Sequence, residues 1–362
     1  MNCNFTIHIT KLVLAPFLLA LTFVTMNLAH AETTESKIEA AFNQGKLPNL
    51  HSVYATIGQQ TISEIYFNGQ DESWGQKLGE VNHGPNTLHD LRSVTKSIIG
   101  LLYGIALAEG KVPSLNEPLL DQFSQYSDLK DGSGRENILI EHALTMKMGT
   151  EWNENLPYTS AKNSEIAMEL AKDRYRFILD RPMVSKPGEK WTYSGGAVAI
   201  IAKLIADGTN MSIDAYANEK LFAPLGISNY EWAKGADGEP SAASGLRLSA
   251  RDLSKIGEMI SKNGKFENRQ IVSSEWLHQS FQRKSELEPG FYYGYLWYLA
   301  GSKDKQIIIG LGNGGQRFTI QPAYNFVAVT FAGGYNHPNA WKVSYKVLTD
   351  FILPAAKKHL AK

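Results

Sequence analysis

The stretch RSVTKSIIGLLYGIALAEGKV, residues 92–112, decides how this chain is read. From Ser93 to Glu109 it is strongly apolar and free of proline, and Gly110 supplies a stop, so it predicts a buried helix over 93–109. Ser93 and Lys96 stand three residues apart, and positions i and i+3 share one helix face. A serine hydroxyl is a weak nucleophile until a neighbouring base takes its proton. A lysine can act as that base when burial or nearby cations displace its own proton. The Ser-x-x-Lys spacing also occurs at Ser127–Lys130 and Ser302–Lys305. Both of those lie in polar stretches, where a solvated lysine stays protonated. Only Lys96 leads directly into Ile98, Ile99, Leu101, Leu102 and Ile105.

Outward from this helix the chain changes character. His51–Gly69 alternates and is rich in Val, Ile and Tyr, predicting one or two strands with a turn at Gly58. Helical periodicity dominates 113–240, notably over Ile138–Met146, Ser164–Ala171, Ala197–Ala206 and Ile213–Phe222, and again over Ala250–Asn263. Phe291–Leu299, Gln306–Ile309, Gln316–Gln321 and Phe326–Phe331 follow as strands at hairpin spacing. Trp341–His359 closes the chain as a helical segment, with an interruption expected near Pro354. This order predicts an α+β fold: an antiparallel sheet made from both ends of the chain, flanked by helices, with a mostly helical region inserted. The expected regions are a sheet domain of 32–112 with 241–362 and a helical domain of 113–240. The glycine-rich stretch 235–245 marks the return.

The first 31 residues read as a secretory signal peptide. Lys11 precedes the apolar run Leu12–Val24, and Ala29-His30-Ala31 offers a cleavage point. A membrane anchor is the rival reading, but the run is short for a span of about 20 residues. The expected product is soluble and exported, periplasmic or secreted. Cys3, the only cysteine, lies within the signal, so the processed chain has no thiolate chemistry and no Cys-based metal site. Formal net charge is zero over 362 residues, which offers no basic excess for nucleic acid. The nine histidines follow no metal-binding spacing, and no G-x-S-x-G, P-loop or dinucleotide fingerprint is present.

At this point the chain resembles a family. The 92–112 stretch is similar to the nucleophile helix of the serine β-lactamase and penicillin-binding-protein superfamily. It is nearest the branch of class C β-lactamases, D-alanyl-D-alanine carboxypeptidases, carboxylesterases and 6-aminohexanoate-oligomer hydrolases. Further segments follow in family order: ILIEHALTMKMGTEW (138–152), PGEKWTYSGGAVAIIAKLI (187–205), LFAPLGISNYEW (221–232), SGLRLSARDLSKIGEMI (244–260), YYGYLWY (292–298) and GLGNGGQRFTIQP (310–322). The resemblance spans roughly 50–360 and implies a β-lactamase/transpeptidase-like fold.

It also implies site residues. The family's second motif is Tyr-x-Asn, whose tyrosine shuttles a proton. A literal Tyr216-Ala217-Asn218 exists inside an amphipathic helix, but Tyr193-Ser194-Gly195 has the Pro187-Gly188 lead-in and the apolar helix behind it. Tyr193 is therefore chosen, with Gly195 in the asparagine's place. The third motif, Lys-Thr-Gly or His-Thr-Gly in penicillin-active members, corresponds to Gly310-Leu311-Gly312. The oxyanion donors carried over are the backbone N–H groups of Ser93 and Asn313. Trp152, Tyr158, Trp297 and Tyr298 are candidates for lining a substrate cleft, and Trp152 and Gly195 are taken as substrate-binding.

The expected chemistry is acyl transfer. Lys96, neutral in the site, takes the proton of Ser93, and Tyr193 serves the leaving group and then the water; no cofactor or metal is required. The expected substrate is a small ester, amide or peptide. A D-alanyl-D-alanine carboxypeptidase or class C-like β-lactamase is the enzymatic rival. A catalytically silent binding protein on the same fold is the rival from another class.

Overall fold

Strands from the two ends of the chain meet in one sheet. In the computed structural model, which describes residues 32–361, Leu50–Ile57 pairs antiparallel with Phe326–Ala332, from Val53 opposite Thr330 to Ile57 opposite Phe326. The expected signal segment, 1–31, lies outside the described residues. The full sheet has eight strands in the spatial order Ser285–Glu288, Phe291–Tyr293, Tyr298–Ala300, Ile307–Gly312, Gln316–Gln321, Phe326–Ala332, Leu50–Ile57 and Gln60–Tyr66. Every neighbouring pair is antiparallel.

Successive side chains on a strand point to opposite faces, and Phe326–Ala332 is buried on both. Phe326 and Ala328 face a smaller core with Ile38, Leu47, Val53 and Ile352. Val327, Val329 and Phe331 face the large core. The helix Thr34–Asn43 and the C-terminal helices cover the smaller core. The interruption expected near Pro354 is a wide turn over Val347–Ile352, and Pro354 then sits in the first turn of Leu353–Leu360, where its missing N–H costs nothing.

The helix Val94–Ala108 is buried from Val94 through Ala106. It runs between the sheet and the helix Gly195–Thr209, and it touches the strand Ile307–Gly312. An apolar helix with no polar face must be enclosed in this way. Polar pins fix its register: Ser97 Oγ donates to the Leu296 carbonyl (2.7 Å) and Trp276 Nε1 donates to the Gly100 carbonyl (2.9 Å). The inserted region contributes short helices, Ile140–Leu144, Ser164–Glu169, Arg174–Leu179, Gly195–Thr209 and Ile213–Ala217. Its apolar residues join the same large core as the sheet, so 113–240 and the sheet region share one interior. Among the described residues, no single helix is long and apolar enough to cross a membrane.

Candidate active site

Ser93 holds the N-cap position of the buried helix, with φ −65° and ψ −8°, and its side chain makes no capping bond. Its Oγ is thereby free for another partner. Arg92 just before it has φ 49°, left-handed backbone that a non-glycine residue adopts at a cost of about 1–3 kcal/mol. Its guanidinium is held by Asp90 (3.0 Å) and by Glu72. This anchored turn presents Ser93 to a cleft of about 470 Å³, also lined by Glu72, Trp74, Tyr158, Glu165 and Asn313.

One turn on, Lys96 is 2% exposed. Its Nζ donates to Ser93 Oγ (3.2 Å), Glu165 Oε2 (3.2 Å) and the Ala243 carbonyl (2.9 Å). Three acceptors around one amine describe an ammonium. Burial, the largest single influence, pushes the lysine pKa down, but Glu165, Tyr193 and Glu154 together outweigh it, and the net direction is up. The expectation of a neutral Lys96 is thus corrected. Sequence reasoning considered burial and neighbouring cations, whereas the fold brings an anion.

That anion comes from the helix Ser164–Glu169, whose N-cap Asn163 accepts from the Glu165 N–H (3.0 Å). Glu165 Oε1 also accepts from Ser244 Oγ (2.7 Å). Burial opposes its ionisation, yet Lys96, Ser244 and Glu154 together prevail and its pKa falls. A second carboxyl, Glu154, hydrogen-bonds to Glu165. It also accepts from the Gly195 N–H (2.5 Å), Trp152 Nε1 (2.6 Å) and the Tyr158 hydroxyl (2.9 Å). Burial first, and the Glu165 charge second, push its pKa up to about 7. Neither glutamate was singled out from the sequence. The available signal was a carboxylate in the apolar helical pattern SEIAMEL after a strong N-cap, together with the missing asparagine at 195.

Tyr193 ends the segment before the helix Gly195–Thr209. Ser194 is that helix's N-cap, its Oγ accepting from the Ala197 N–H (3.1 Å). The Tyr193 hydroxyl is under the influence of Ser93, and its ring lies 5.0 Å from Lys96 Nζ. Burial raises its pKa, which keeps the phenol neutral. Tyr216 is elsewhere, buried, with its hydroxyl on Glu109 (3.0 Å). Gly195 leaves the place of a side chain open, and Glu165 fills it: a Cβ there would stand 2.6 Å from Glu165 Oε2. Gly195 therefore packs beneath the site as a glutamate's neighbour.

Gly310, Leu311 and Gly312 end the strand Ile307–Gly312 beside the nucleophile turn. A Cβ on Gly312 would lie 2.5 Å from the Leu91 carbonyl oxygen, so this contact requires glycine. Asn313 reaches the cleft next to Ser93, its side chain exchanging two 2.8 Å hydrogen bonds with Asn336. Neither the Ser93 nor the Asn313 N–H donates to a backbone carbonyl among the described residues. Trp152 is corrected: its indole is buried in the core, edge-on to Phe177, and acts on the site only through Glu154. Trp297 is also core, and Tyr158 lines the cleft. Arg317, across the hairpin, stands against Tyr345.

A serine, lysine and tyrosine gathered beside an interior strand of an antiparallel sheet define a class: the serine hydrolases of the β-lactamase and penicillin-binding-protein superfamily. The chain belongs to the beta-lactamase family, whose model matches residues 39–340. It is 22% identical to the 6-aminohexanoate-dimer hydrolase of Paenarthrobacter ureafaciens over 276 residues, 68% of this chain and 66%, just under two thirds, of that enzyme. Among solved structures it is similar to a protein of Bacillus anthracis described as a 6-aminohexanoate-dimer hydrolase (TM-score 0.70, 18% identity, 90% of this chain and 82% of that one). It is also similar to EstCE1, a hydrolase with promiscuous acyltransferase activity (TM-score 0.66, 14% identity, 87% of this chain and 97% of that one). The fold is β-lactamase/transpeptidase-like.

Proposed function

We propose that this chain is an exported serine hydrolase that cleaves small esters or amides through an acyl-enzyme. The observation that carries the reading is the contact of Lys96 Nζ with Ser93 Oγ at 3.2 Å, with the Tyr193 ring 5.0 Å from the same amine. Ser93 attacks the carbonyl, and the N–H groups of Ser93 and Asn313 receive the oxyanion. Because Lys96 rests as an ammonium, it accepts the Ser93 proton while passing one of its own to Glu165. The net transfer is from serine to carboxylate. Tyr193 donates to the leaving group and later helps activate the water. Export rests on the 1–31 segment, with processing near Glu32.

Exchanging the two tyrosines tests the proton shuttle. Tyr193→Phe is expected to lower kcat by about 10²-fold or more, the usual scale of general acid–base catalysis. Tyr216→Phe, away from Ser93, is expected to leave kcat near the parent value. Steady-state kinetics on one chromogenic ester decides it, and the reverse pattern would transfer the role to Tyr216.

Substrate class follows from charge. Gly310 and Leu311 offer no cation where penicillin-active relatives have one. In the cleft Glu72, Glu165 and Glu169 are paired with Arg92, Lys96 and Arg174, and Arg92 is further committed to Asp90, so none of these cations is free for a substrate carboxylate. A missing charged hydrogen bond forfeits about 1.5–3 kcal/mol, one to two decades of affinity. Short-chain p-nitrophenyl esters are therefore expected to be turned over and nitrocefin poorly. Nitrocefin kcat/KM in the range of about 10⁴–10⁸ M⁻¹s⁻¹ typical of enzymes, without esterase activity, would replace this reading by a β-lactamase. Lys234 at the cleft would then be the first cation to test.

A further inference from the structure

The Asn313 N–H, the second oxyanion donor of the proposed reaction, opens a turn with little rigidity of its own. Gly314 and Gly315 follow it at φ 113° and 102°, conformations that glycine enters and leaves freely. The turn's own closing hydrogen bond, from the Gly315 N–H to the Gly312 carbonyl, is long at 3.3 Å. A backbone N–H stabilises an oxyanion best when it already points at the place the oxygen will occupy. The aim of this donor must therefore be fixed from outside the turn.

The support is the loop 333–340. The Gly334 N–H donates to the Gly314 carbonyl (3.0 Å). The Asn336 N–H donates to Asn313 Oδ1, and Asn313 Nδ2 donates to Asn336 Oδ1, both at 2.8 Å. These two bonds engage the acceptor and the donor of the Asn313 amide, so its side chain is held in one orientation. Asn336 makes them from φ 60°, left-handed backbone that asparagine adopts more readily than most residues. The loop is itself anchored. The Gly333 N–H donates to the Asn49 carbonyl (2.8 Å), and the Tyr335 hydroxyl donates to the buried Asp71 carboxylate (2.8 Å). The Tyr335 ring also lies 4.8 Å from the guanidinium carbon of Arg92, the residue before Ser93. Two consecutive loop residues thus reach both halves of the oxyanion hole: Tyr335 packs on the turn that carries the Ser93 N–H, and Asn336 grips the turn that carries the Asn313 N–H.

Given the serine-hydrolase reading above, on which this rests, we propose that Asn336 is a positioning residue of the oxyanion hole: through the Asn313 side chain it fixes the Asn313 N–H opposite the Ser93 N–H. Asn336 moves no proton and gives no bond to the oxyanion. It restricts a donor before charge develops, so that no realignment is needed at the moment of reaction. A misplacement on the order of 1 Å can cost about 10²-fold in rate. Asn336 is exposed, and water competes for its hydrogen bonds, so the pair adds little to global stability. Its effect on rate is therefore separable from any effect on folding.

Two variants and their combination test it. Asn336→Gly keeps the backbone N–H and suits the left-handed φ, but removes the side-chain acceptor. Asn313→Ala removes the partner amide and keeps the N–H that meets the oxyanion. Each is expected to lower kcat/KM on a p-nitrophenyl ester, and the rate of fluorophosphonate labelling at Ser93, by about 10- to 10²-fold. Tm should stay within about 2 °C of the parent, and the pH midpoint of kcat/KM should not move, since Lys96 and Glu165 are untouched. Because both changes break one pair, the double variant should be no slower than Asn313→Ala alone. Parent-like rates in both single variants would overturn the proposal. Losses that multiply in the double variant would also overturn it, by showing that Asn336 meets the substrate independently. Failure of Asn336→Gly to fold would make the contact structural and equally overturn it. A wild-type protein that neither cleaves the ester nor takes the probe removes the hydrolase reading itself, whereas an active wild type with parent-like variants removes this inference alone.

Discussion

Ser93→Ala abolishes turnover of every substrate and leaves Tm close to that of the parent: this is the expected result with the largest effect. The side chain makes no capping bond, and the loss of one oxygen at a cleft-facing position removes no core packing. Removal of the nucleophile in enzymes of this kind costs about 10⁴-fold or more in kcat. A fluorophosphonate probe should label the wild-type protein at Ser93 and leave the variant unlabelled. Wild-type activity in the variant would remove the serine-hydrolase reading altogether. An unlabelled but well-folded wild-type protein would favour a silent binding protein on this fold.

The second large effect is expected at Glu165. In Glu165→Gln the Lys96 ammonium loses its only carboxylate partner within 4 Å among the described residues. Breaking a buried pair from one side costs on the order of 3–5 kcal/mol, less when an isosteric amide remains to hydrogen-bond. Stability should therefore fall measurably. Esterase kcat/KM should fall by about 10² or more, because the relay loses its terminal acceptor. Turnover equal to the parent's would mean that Lys96 sheds its proton once the anion is gone and works as a neutral amine.

The pH profile gives the same argument a sign. Glu154, pushed up to about 7, is a carboxylic acid hydrogen-bonded to Glu165 below that pH and a second carboxylate above it. Ionisation strengthens the neighbouring base, so kcat/KM is expected to rise through pH 7. Stability moves the other way. A carboxyl whose folded pKa exceeds its unfolded value binds more protons in the native state. Its contribution is full below about pH 4.5 and is lost as pH rises through about 7, at most on the order of 3 kcal/mol. Glu154→Gln, a mimic of the protonated form, should flatten the kcat/KM profile and remove the Glu154 share of the stability profile, leaving that of Glu169, also pushed up to about 7 by burial. Tm and kcat/KM measured from pH 5 to 9 check this.

What is local was legible from the residues alone. The apolar run after Lys96 must be enclosed, and Ser93 must open that helix, because each follows from neighbours within a few residues. The Pro-Gly lead-in and the apolar helix behind it favoured Tyr193 over the literal Tyr-x-Asn at 216 for the same reason. The antiparallel sheet from both chain ends was legible in period-two alternation and hairpin spacing, whereas the pairing of Phe326–Ala332 with Leu50–Ile57 came only with the fold. The charge state of Lys96 was not legible, because it depends on Glu165, 69 residues away, reaching the vacancy left by Gly195. The burial of Trp152 was hidden likewise, since an aromatic ring reads the same whether it lines a cleft or fills a core. The pairing of Asn313 with Asn336 has no spacing motif, as it joins a hairpin turn to a loop 23 residues on. Elements follow from short-range pattern; the protonation states of the groups between them follow from which charges the tertiary fold brings within a few ångströms, in a medium too dry to screen them.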